Sequence, residues 1–464
     1  MLQSFNQMEG FAIEIQCLER KWIEMLQNVK SPEEYGFHKQ CIYRIPPRIR
    51  ENNPQAYTPR IVSIGPYHHK ARDMDKEHNN FEPMEELKLK YLKGFLNRTQ
   101  LPMKNFVVKM KEMEEEIRLC YSEPINYDSD DLLKMILVDA CFIIELFLRF
   151  HSKSDWEGKD PLFQKDWMLN DICDDLELLE NQLPYFVLEN LYNLTSMNEK
   201  FLEITFNYFK RIPLGHDCPR ESPKHLTDFL ISCIISSSKL GLGKPDKCEQ
   251  VKHVYSASQL MEAGLEFNVS PNKSILDLTY EHGVLTMPIL NIHDVTEVLF
   301  RNMMVYEDCH HSATKIISQY VVILDFLINT EKDVDILIDK KIIINWMSDV
   351  NKVVTMINNL SSQLSMPSFN SHYFSLCNSL NDFYENRRNK YMATFRHQYF
   401  NTPWKKASTI SAIVLLLLTF IQTITSIISI FRGKKSYYII EIYIYIYIYI
   451  YLYIYIYIYI YIID

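Results

Sequence analysis

The feature that most constrains this chain is an apolar stretch near its C-terminus. Residues 407–431 contain no charged side chain, and fourteen of these twenty-five residues are Ile, Leu, Val or Phe. A helix of this length would reach about 37 Å, enough to cross the roughly 30 Å hydrocarbon core of a bilayer. A buried core helix is the alternative, but such a helix usually keeps a polar face. The sequence therefore predicts one transmembrane helix at 407–431.

Composition limits the class of the chain that precedes this stretch. The protein has 464 residues and a net charge of −9, from 49 basic and 58 acidic side chains. An acidic chain without a basic block offers no electrostatic footprint for nucleic acid, so we predict no nucleic-acid partner. Only 11 residues are glycine, which favours helices over turn-rich sheets. We therefore expect a mainly α-helical body over residues 1–400.

Cysteines and termini bear on the cellular compartment. The ten cysteines never form a C-x-x-C pair, and several lie in apolar runs, as Cys141 does, which predicts reduced, buried thiols. No secretory signal is visible at the N-terminus. Five N-x-S/T sequons, including those at Asn97 and Asn193, would also fit a luminal body, and the basic residues flanking 407–431 do not decide the orientation. We expect a single-pass membrane protein with a cytosolic body, and we assume that the membrane is the plasma membrane.

The body divides into helices around one irregular segment. Residues 41–69 contain five prolines and short apolar pairs, which predicts an extended strap over a helical core. We call residues 41–69 the strap. The segment from Asp128 to Phe150 is apolar nearly all round and should form the central buried helix. Helical periodicity also predicts helices at 11–30, two across 82–121 broken at Pro102, two across 167–194 broken at Pro184, and others at 198–210, 223–236, 293–309, 312–329, 331–340, 349–363 and 371–399.

Three further regions differ from this helical pattern. Apolar residues alternate over 265–290, which predicts a small antiparallel β element. Polar stretches at 152–166 and 211–255 predict surface loops. The tail at 437–464 alternates Tyr and Ile, which a repeated TA dinucleotide would encode. We interpret this tail as low-complexity sequence without selected structure, and a transcript that ended near Lys435 would confirm that interpretation.

The strap CIYRIPPRIRENNPQAYTPRIVSIGPYHH resembles the signature of the plant domain-of-unknown-function family 247. Further blocks of the family follow in order at 84–96, 136–150, 175–191, 256–267, 284–307, 326–343 and 399–420. The resemblance implies a plant membrane-anchored protein with a C-terminal span and no assigned activity. Some members are genetically tied to self-incompatibility recognition in grasses, which implies recognition or signalling at a membrane. The Tyr-Ile tail is foreign to the family pattern, and Leu87 stands where members often carry His.

One cluster has the residue types of a metal site, namely His68, His69, Asp73, Asp75, Glu77 and His78. Adjacent histidines in an extended segment point to opposite faces, so both cannot readily bind one ion. We therefore predict a hydrogen-bonded loop here and no metal.

Polar residues at a predicted helix corner could supply acid–base or amide groups. Glu180, Asn181 and Gln182 stand directly before Leu183 and Pro184. Because a helix corner leaves backbone groups unpaired, we predict that these side chains satisfy backbone groups of a buried corner.

Two carboxylates lie on the most apolar predicted helix. Asp139 and Glu145 are six residues apart and do not share a face, so they are not predicted to act as a pair. Arg149 follows Glu145 by four residues, which predicts a buried salt bridge between them.

Catalytic motifs are missing from the sequence. Residues 241–244, GLGK, are similar to part of a phosphate loop, but Ser238 replaces its first glycine and Pro245 its Ser or Thr. No G-x-S-x-G, H-E-x-x-H or G-x-G-x-x-G occurs. We therefore predict no catalytic, cofactor-binding or metal-binding residue, although the absence of a motif does not decide against an enzyme.

Three functions stay open. The leading hypothesis is that the protein binds another protein at a membrane through the loops at 152–166 and 211–255. The alternatives are a hydrolase or transferase with an unrecognised site and a passive scaffold.

Five polar residues of the predicted span recur at steps of three and four residues and so form one stripe along the helix. They are Thr419, Gln422, Thr423, Ser426 and Ser429. The stripe would serve helix association in the membrane or hydrogen-bond its own helix carbonyls.

Overall fold

The computed structural model describes residues 2–27, 39–69, 82–195, 197–210, 212, 217–239, 250–271, 274–310, 315–361, 368–400 and 403–432. Several predictions from the sequence fall outside these ranges. They are the Tyr-Ile tail at 437–464, the GLGK segment at 241–244, and parts of the predicted loop 211–255. Asp73, Asp75, Glu77 and His78, of the cluster with metal-site residue types, also lie outside.

The structure is mainly α-helical, as predicted. The helices before the first strand are α1 (Leu2–Gln27), α2 (Pro47–Arg50), α3 (Glu82–Thr99), α4 (Met103–Cys120), α5 (Ser129–His151), α6 (Lys153–Trp156), α7 (Asp166–Glu177), α8 (Tyr185–Tyr192), α9 (Phe201–Phe209), α10 (Leu226–Ser236) and α11 (Ala257–Glu262). The later helices are α12 (Thr296–Cys309), α13 (Ile316–Leu327), α14 (Glu331–Asp339), α15 (Val350–Ser361), α16 (Ser371–Glu385), α17 (Arg387–Tyr399) and α18 (Pro403–Arg432).

The strands form two small sheets. They are β1 (Glu266–Val269), β2 (Thr279–Glu281), β3 (Val284–Met287), β4 (Leu290–Ile292) and β5 (Ile343–Asn345). One sheet has the order β1-β3-β2, in which β2 and β3 are antiparallel and β1 is parallel to β3. The other sheet pairs β4 with β5 in parallel. The predicted β element at 265–290 is therefore confirmed, with mixed rather than purely antiparallel pairing.

The hairpin between β2 and β3 follows from its turn residues. His282 and Gly283 both have positive φ, 49° and 84°. Two consecutive positive φ values match the right-handed twist of a tight hairpin. The partner β5 of β4 arrives only after three more helices, so alternation within 265–290 could not reveal that pairing.

Helix α5 is the centre of the body, as predicted. The Asp128 side chain accepts from the Asp131 N–H at 2.8 Å and caps its first turn. From Leu132 to Arg149 most of its side chains are buried, and it packs against α3, α4, α8 and α9. Burial on several faces explains why this helix lacks a polar face.

Prolines break the neighbouring helices where the sequence predicted. Helices α3 and α4 are separated at Pro102, and the chain between α7 and α8 ends at Pro184. The single helix predicted at 371–399 is instead divided into α16 and α17 at Asn386. The Asn386 side chain accepts from the Arg388 N–H at 3.1 Å, and this cap begins a new helix.

Both predicted surface loops contain buried structure. In 152–166, Asp160, Leu162 and Phe163 are buried, and α6 and a short 3-10 turn replace a continuous loop. The range 211–255 includes α10, which confirms the helix predicted at 223–236, and its Phe229 and Ile234 lie in the core. Exposed residues are concentrated at 153–159 in the first range and at 217–222 in the described part of the second.

Two helices lie outside the core. The described side chains of α1, at 14–26, are all exposed. Helix α18 contains the stretch Trp404–Ile427, which includes 18 consecutive residues with a mean hydropathy of 2.2 and no buried side chain. This helix is long and apolar enough to cross a membrane.

Candidate functional site

The strap is held by side chains from the corner between α7 and α8. Asp175 is 1% exposed and accepts from the backbone N–H groups of Arg60, Ile61 and Val62 at 2.7–2.8 Å. Burial raises the pKa of Asp175 to about 6, although the three N–H donors act in the opposite direction. One carboxylate thus replaces the strand partner that this proline-rich backbone lacks.

The amide side chains of the corner bond backbone groups, as predicted. Asn181 accepts from the Ile64 N–H at 2.7 Å and donates to the Val62 carbonyl at 2.9 Å. Gln182 donates to the Leu176 carbonyl at 2.6 Å and accepts from the Leu226 N–H at 2.8 Å. These bonds use the polar atoms that a catalytic role would require.

Glu180 contacts several residues of the strap, and one of them, His68, belongs to the cluster with the residue types of a metal site. It accepts from the Ile45 N–H at 2.7 Å, forms an ion pair with Arg50, and lies 3.1 Å from His68 Nε2. Burial raises the pKa of Glu180, but His68 and Arg50 outweigh it and hold the pKa below its ordinary value. His69 instead stacks on Tyr127, with ring centroids 5.7 Å apart. The two histidines therefore face different partners, as predicted, although they lie in a turn and not in an extended segment.

No group of three metal-ligating side chains occurs among the residues that the structure describes. Asp73, Asp75, Glu77 and His78 lie outside those residues. The prediction that no metal binds here stays a prediction.

A second buried contact fixes the strap to α5. Asp139 accepts from the Gly65 N–H at 2.8 Å and from Lys88 Nζ at 2.6 Å. Lys88 is fully buried and also donates to the Ser63 carbonyl. Sequence reasoning missed Lys88, because one buried lysine among the exposed charges of α3 carries no local signal.

Glu145 forms the salt bridge that its spacing predicted. Its Oε1 atom lies 2.8 Å from Arg149 Nε, and its Oε2 atom lies 2.9 Å from Arg98 Nε. Arg149 also forms an ion pair with Asp160, in which Nη1 lies 2.6 Å from Oδ2. Tyr91 donates to the same Asp160 carboxylate at 2.8 Å. Arg98 and Asp160 were missed because both are distant from Glu145 in sequence.

A chain of polar side chains links the strap to the end of α12. Tyr43 Oη lies 2.8 Å from His310 Nδ1, and His310 Nε2 contacts Lys224 Nζ. Beside it, His225 is fully buried and accepts from the Asp228 N–H at 3.3 Å. Burial lowers the pKa of His225 to about 4, so this imidazole is neutral at pH 7.

A cleft of about 560 Å³ opens beside the Asp175 corner. It is formed by the exposed side of α7, the end of β4 and the first turn of α12, with Arg60 of the strap at one edge. Its lining carries four carboxylates, from Asp171, Asp174, Glu177 and Asp294. Sequence reasoning missed this cleft, because its two sides are more than a hundred residues apart.

A second cavity of about 600 Å³ has a balanced charge. Its charged lining residues are Glu189, Glu203, Lys200 and Arg220. The acidic cleft is therefore the more distinctive of these two cavities and is the candidate site.

Comparisons with known proteins confirm the plant family whose signature the strap resembles. The sequence model of the family DUF247, described as a plant protein of unknown function, matches residues 42–418. The chain is 28% identical over 435 residues to the UPF0481 protein At3g47200 of Arabidopsis thaliana, covering 87% of this chain and 89% of that relative. It is 21% identical over 520 residues to the putative UPF0481 protein At3g02645 of the same plant, covering 89% and 96%. No solved structure matches the chain significantly.

Proposed function

This chain belongs to the plant protein family DUF247, and we propose that it is a membrane-anchored protein that binds another protein through the surface of its helical body. The observation that carries the proposal is α18. An exposed apolar helix of this length is costly in water, and a bilayer removes that cost. The span at 407–431 then tethers the body as a single-pass anchor.

Three threonine hydroxyl groups of the span bond to their own helix, and two of them, those of Thr419 and Thr423, belong to the polar stripe. Thr419 donates to the Leu415 carbonyl, and Thr423 donates to the Thr419 carbonyl at 2.7 Å. Thr425 donates to the Ile421 carbonyl at 3.0 Å. Hydroxyl groups bonded to their own helix expose no unpaired donor to hydrocarbon.

The body is proposed to lie in the cytosol, at the plasma membrane. The nine described cysteines form no disulfide, and Cys41, Cys120, Cys141, Cys173, Cys233 and Cys377 are buried. Free buried thiols are typical of a reducing compartment. Asn97 and Asn193 are exposed, so a luminal body would offer both sequons for glycosylation.

The proposed recognition surface comprises the exposed segments at 153–159 and 217–222 together with the cleft. Asp160 directly after the first segment pairs with Arg149 of α5 at 2.6 Å, and Ser222 Oγ of the second donates to Glu189 at 2.7 Å, so both segments are fixed to the body. A rigid scaffold that positions exposed loops is the usual arrangement for binding surfaces.

The test is proximity labelling in plant cells with the full-length chain. A second chain lacks the span, and a third carries Lys153→Ser, Asp155→Ser and Glu157→Ser. We expect specific membrane partners for the full chain, their loss without the span, and their reduction in the triple variant. Matched substitutions Lys109→Ser, Glu112→Ser and Glu115→Ser on α4 should leave the partners unchanged.

Three results would contradict the proposal. Glycan attached at Asn193 in a microsomal assay would reverse the orientation of the body. An unchanged partner set without the span, or turnover of a metabolite by the purified chain, would favour a scaffold or an enzyme.

A further inference from the structure

We propose that the acidic cleft binds a basic segment of a partner protein, with an Arg or Lys side chain held between Asp171, Asp174 and Asp294. The inference rests on the proposed protein-binding function and names the chemistry of its partner. The cleft is large enough for a side chain and its neighbours, since binding pockets commonly measure about 300–1,000 Å³.

Charge complementarity is the first argument. The described lining contains four carboxylates, of which that of Glu177 is buried, and one Lys or Arg side chain, that of Arg60. Asp174 also contributes to the raised pKa of the adjacent Asp175, after the larger effect of burial. A cleft with this charge attracts cations and repels anionic ligands.

The chain itself places a guanidinium group in the cleft. Arg60 Nη1 lies 3.9 Å from Asp171 Oδ1 and 3.7 Å from Asp174 Oδ2. The Arg60 side chain is 51% exposed, and such long, solvated ion pairs contribute little stability. The Asp171 and Asp174 carboxylates therefore already attract a guanidinium group, which is the chemistry proposed for the partner.

Exposed aromatic rings favour a peptide over a small polycation. Trp167 lines the cleft and is 57% exposed. Trp346 is 65% exposed and stacks on His293 of the lining, with centroids 5.5 Å apart. Tryptophan and arginine are enriched among the residues that dominate protein interfaces, and a cation over an indole ring is stabilised further.

The experiment measures binding of a fluorescent nona-arginine peptide to the full-length chain in neutral detergent. The cleft variant carries Asp171→Asn, Asp174→Asn and Asp294→Asn. The matched control carries Glu112→Gln, Glu115→Gln and Glu116→Gln on α4, with the same change in net charge. We expect roughly tenfold weaker binding for the cleft variant and less than about twofold for the control. Trp167→Ala should weaken binding by roughly threefold.

Equal losses in the two triple variants would overturn the inference, because they would show only general attraction to an acidic chain. Full displacement by spermine, with no effect of Trp167→Ala, would also overturn it in favour of a small polycation. Unchanged thermal unfolding shows that each variant is folded. If the cleft variant keeps the partners found by proximity labelling, this inference fails while the proposed function stands. Absence of partners for the unmodified chain instead contradicts the proposed function.

Discussion

The strap and α18 satisfy their backbone polar groups in opposite ways. The strap has little regular structure, and its N–H groups are bonded by buried side chains such as Asp175, Asn181 and Asp139. Helix α18 bonds its own backbone and exposes its apolar side chains. The strap therefore depends on the body, whereas the exposed apolar side chains of α18 are not covered by the body. Changes in one region should affect folding, and changes in the other should affect membrane insertion.

The largest expected effect comes from Asp175→Ala. Three N–H groups of the strap, that of Val62 buried and those of Arg60 and Ile61 partly buried, would lose their acceptor, which should lower the free energy of unfolding by about 4 kcal/mol or more. Denaturant unfolding of the full-length chain in detergent measures this change. Asp171→Ala, on the exposed side of α7, should change stability by less than about 0.5 kcal/mol. Similar losses for both variants would show that the strap does not depend on the Asp175 contacts.

Leu417→Arg, in the predicted span, is expected to reduce membrane insertion without changing the stability of the body. An arginine near the centre of a membrane helix costs about 3 kcal/mol of insertion free energy. Insertion into microsomes should fall, while unfolding of the body stays unchanged. Trp404→Arg, which precedes 407–431, should insert almost normally. Normal insertion of the Leu417 variant would argue against a span at these residues.

Two glycines allow the cost of a steric contact to be distinguished from the cost of backbone strain. A Cβ atom on Gly65, at φ +69°, would lie 2.7 Å from the Gln182 carbonyl oxygen, whereas one on Gly158, at φ +79°, meets no atom within 4 Å. Gly158→Ala should cost about 1 kcal/mol for its left-handed backbone, and Gly65→Ala about 3 kcal/mol. Thermal unfolding of both variants measures the difference. Equal destabilisation by the two substitutions would show that the strap can move away from the corner.

The smallest expected effect is a pH dependence from His225. Its folded pKa of about 4 lies below the ordinary value of 6.5, so its stabilising contribution is present above pH 6.5 and is lost as pH falls toward 4. His225→Asn keeps a cap for α10 but cannot titrate. The stability difference between the two proteins should decrease by about 2 kcal/mol from pH 7 to pH 5. A constant difference would contradict a buried neutral imidazole.

Much of the helical framework follows from local sequence. The apolar content of 407–431, the proline breaks at Pro102 and Pro184, and the spacing of Glu145 and Arg149 each act within a few residues. Periodicity and chain length therefore determine these features before any tertiary contact forms. The corner at 180–182 was also predictable, because a buried corner must satisfy its own backbone groups.

Tertiary structure alone decided which distant groups meet. Asp175 bonds backbone groups 113–115 residues away, and Lys88 reaches Asp139 across 51 residues. The acidic cleft likewise exists only because α7 and the start of α12 pack together. Residue type and spacing determine helices and spans, since those depend on neighbours along the chain. They do not determine the partner of a buried charge, since that partner is chosen by the packing of the whole body.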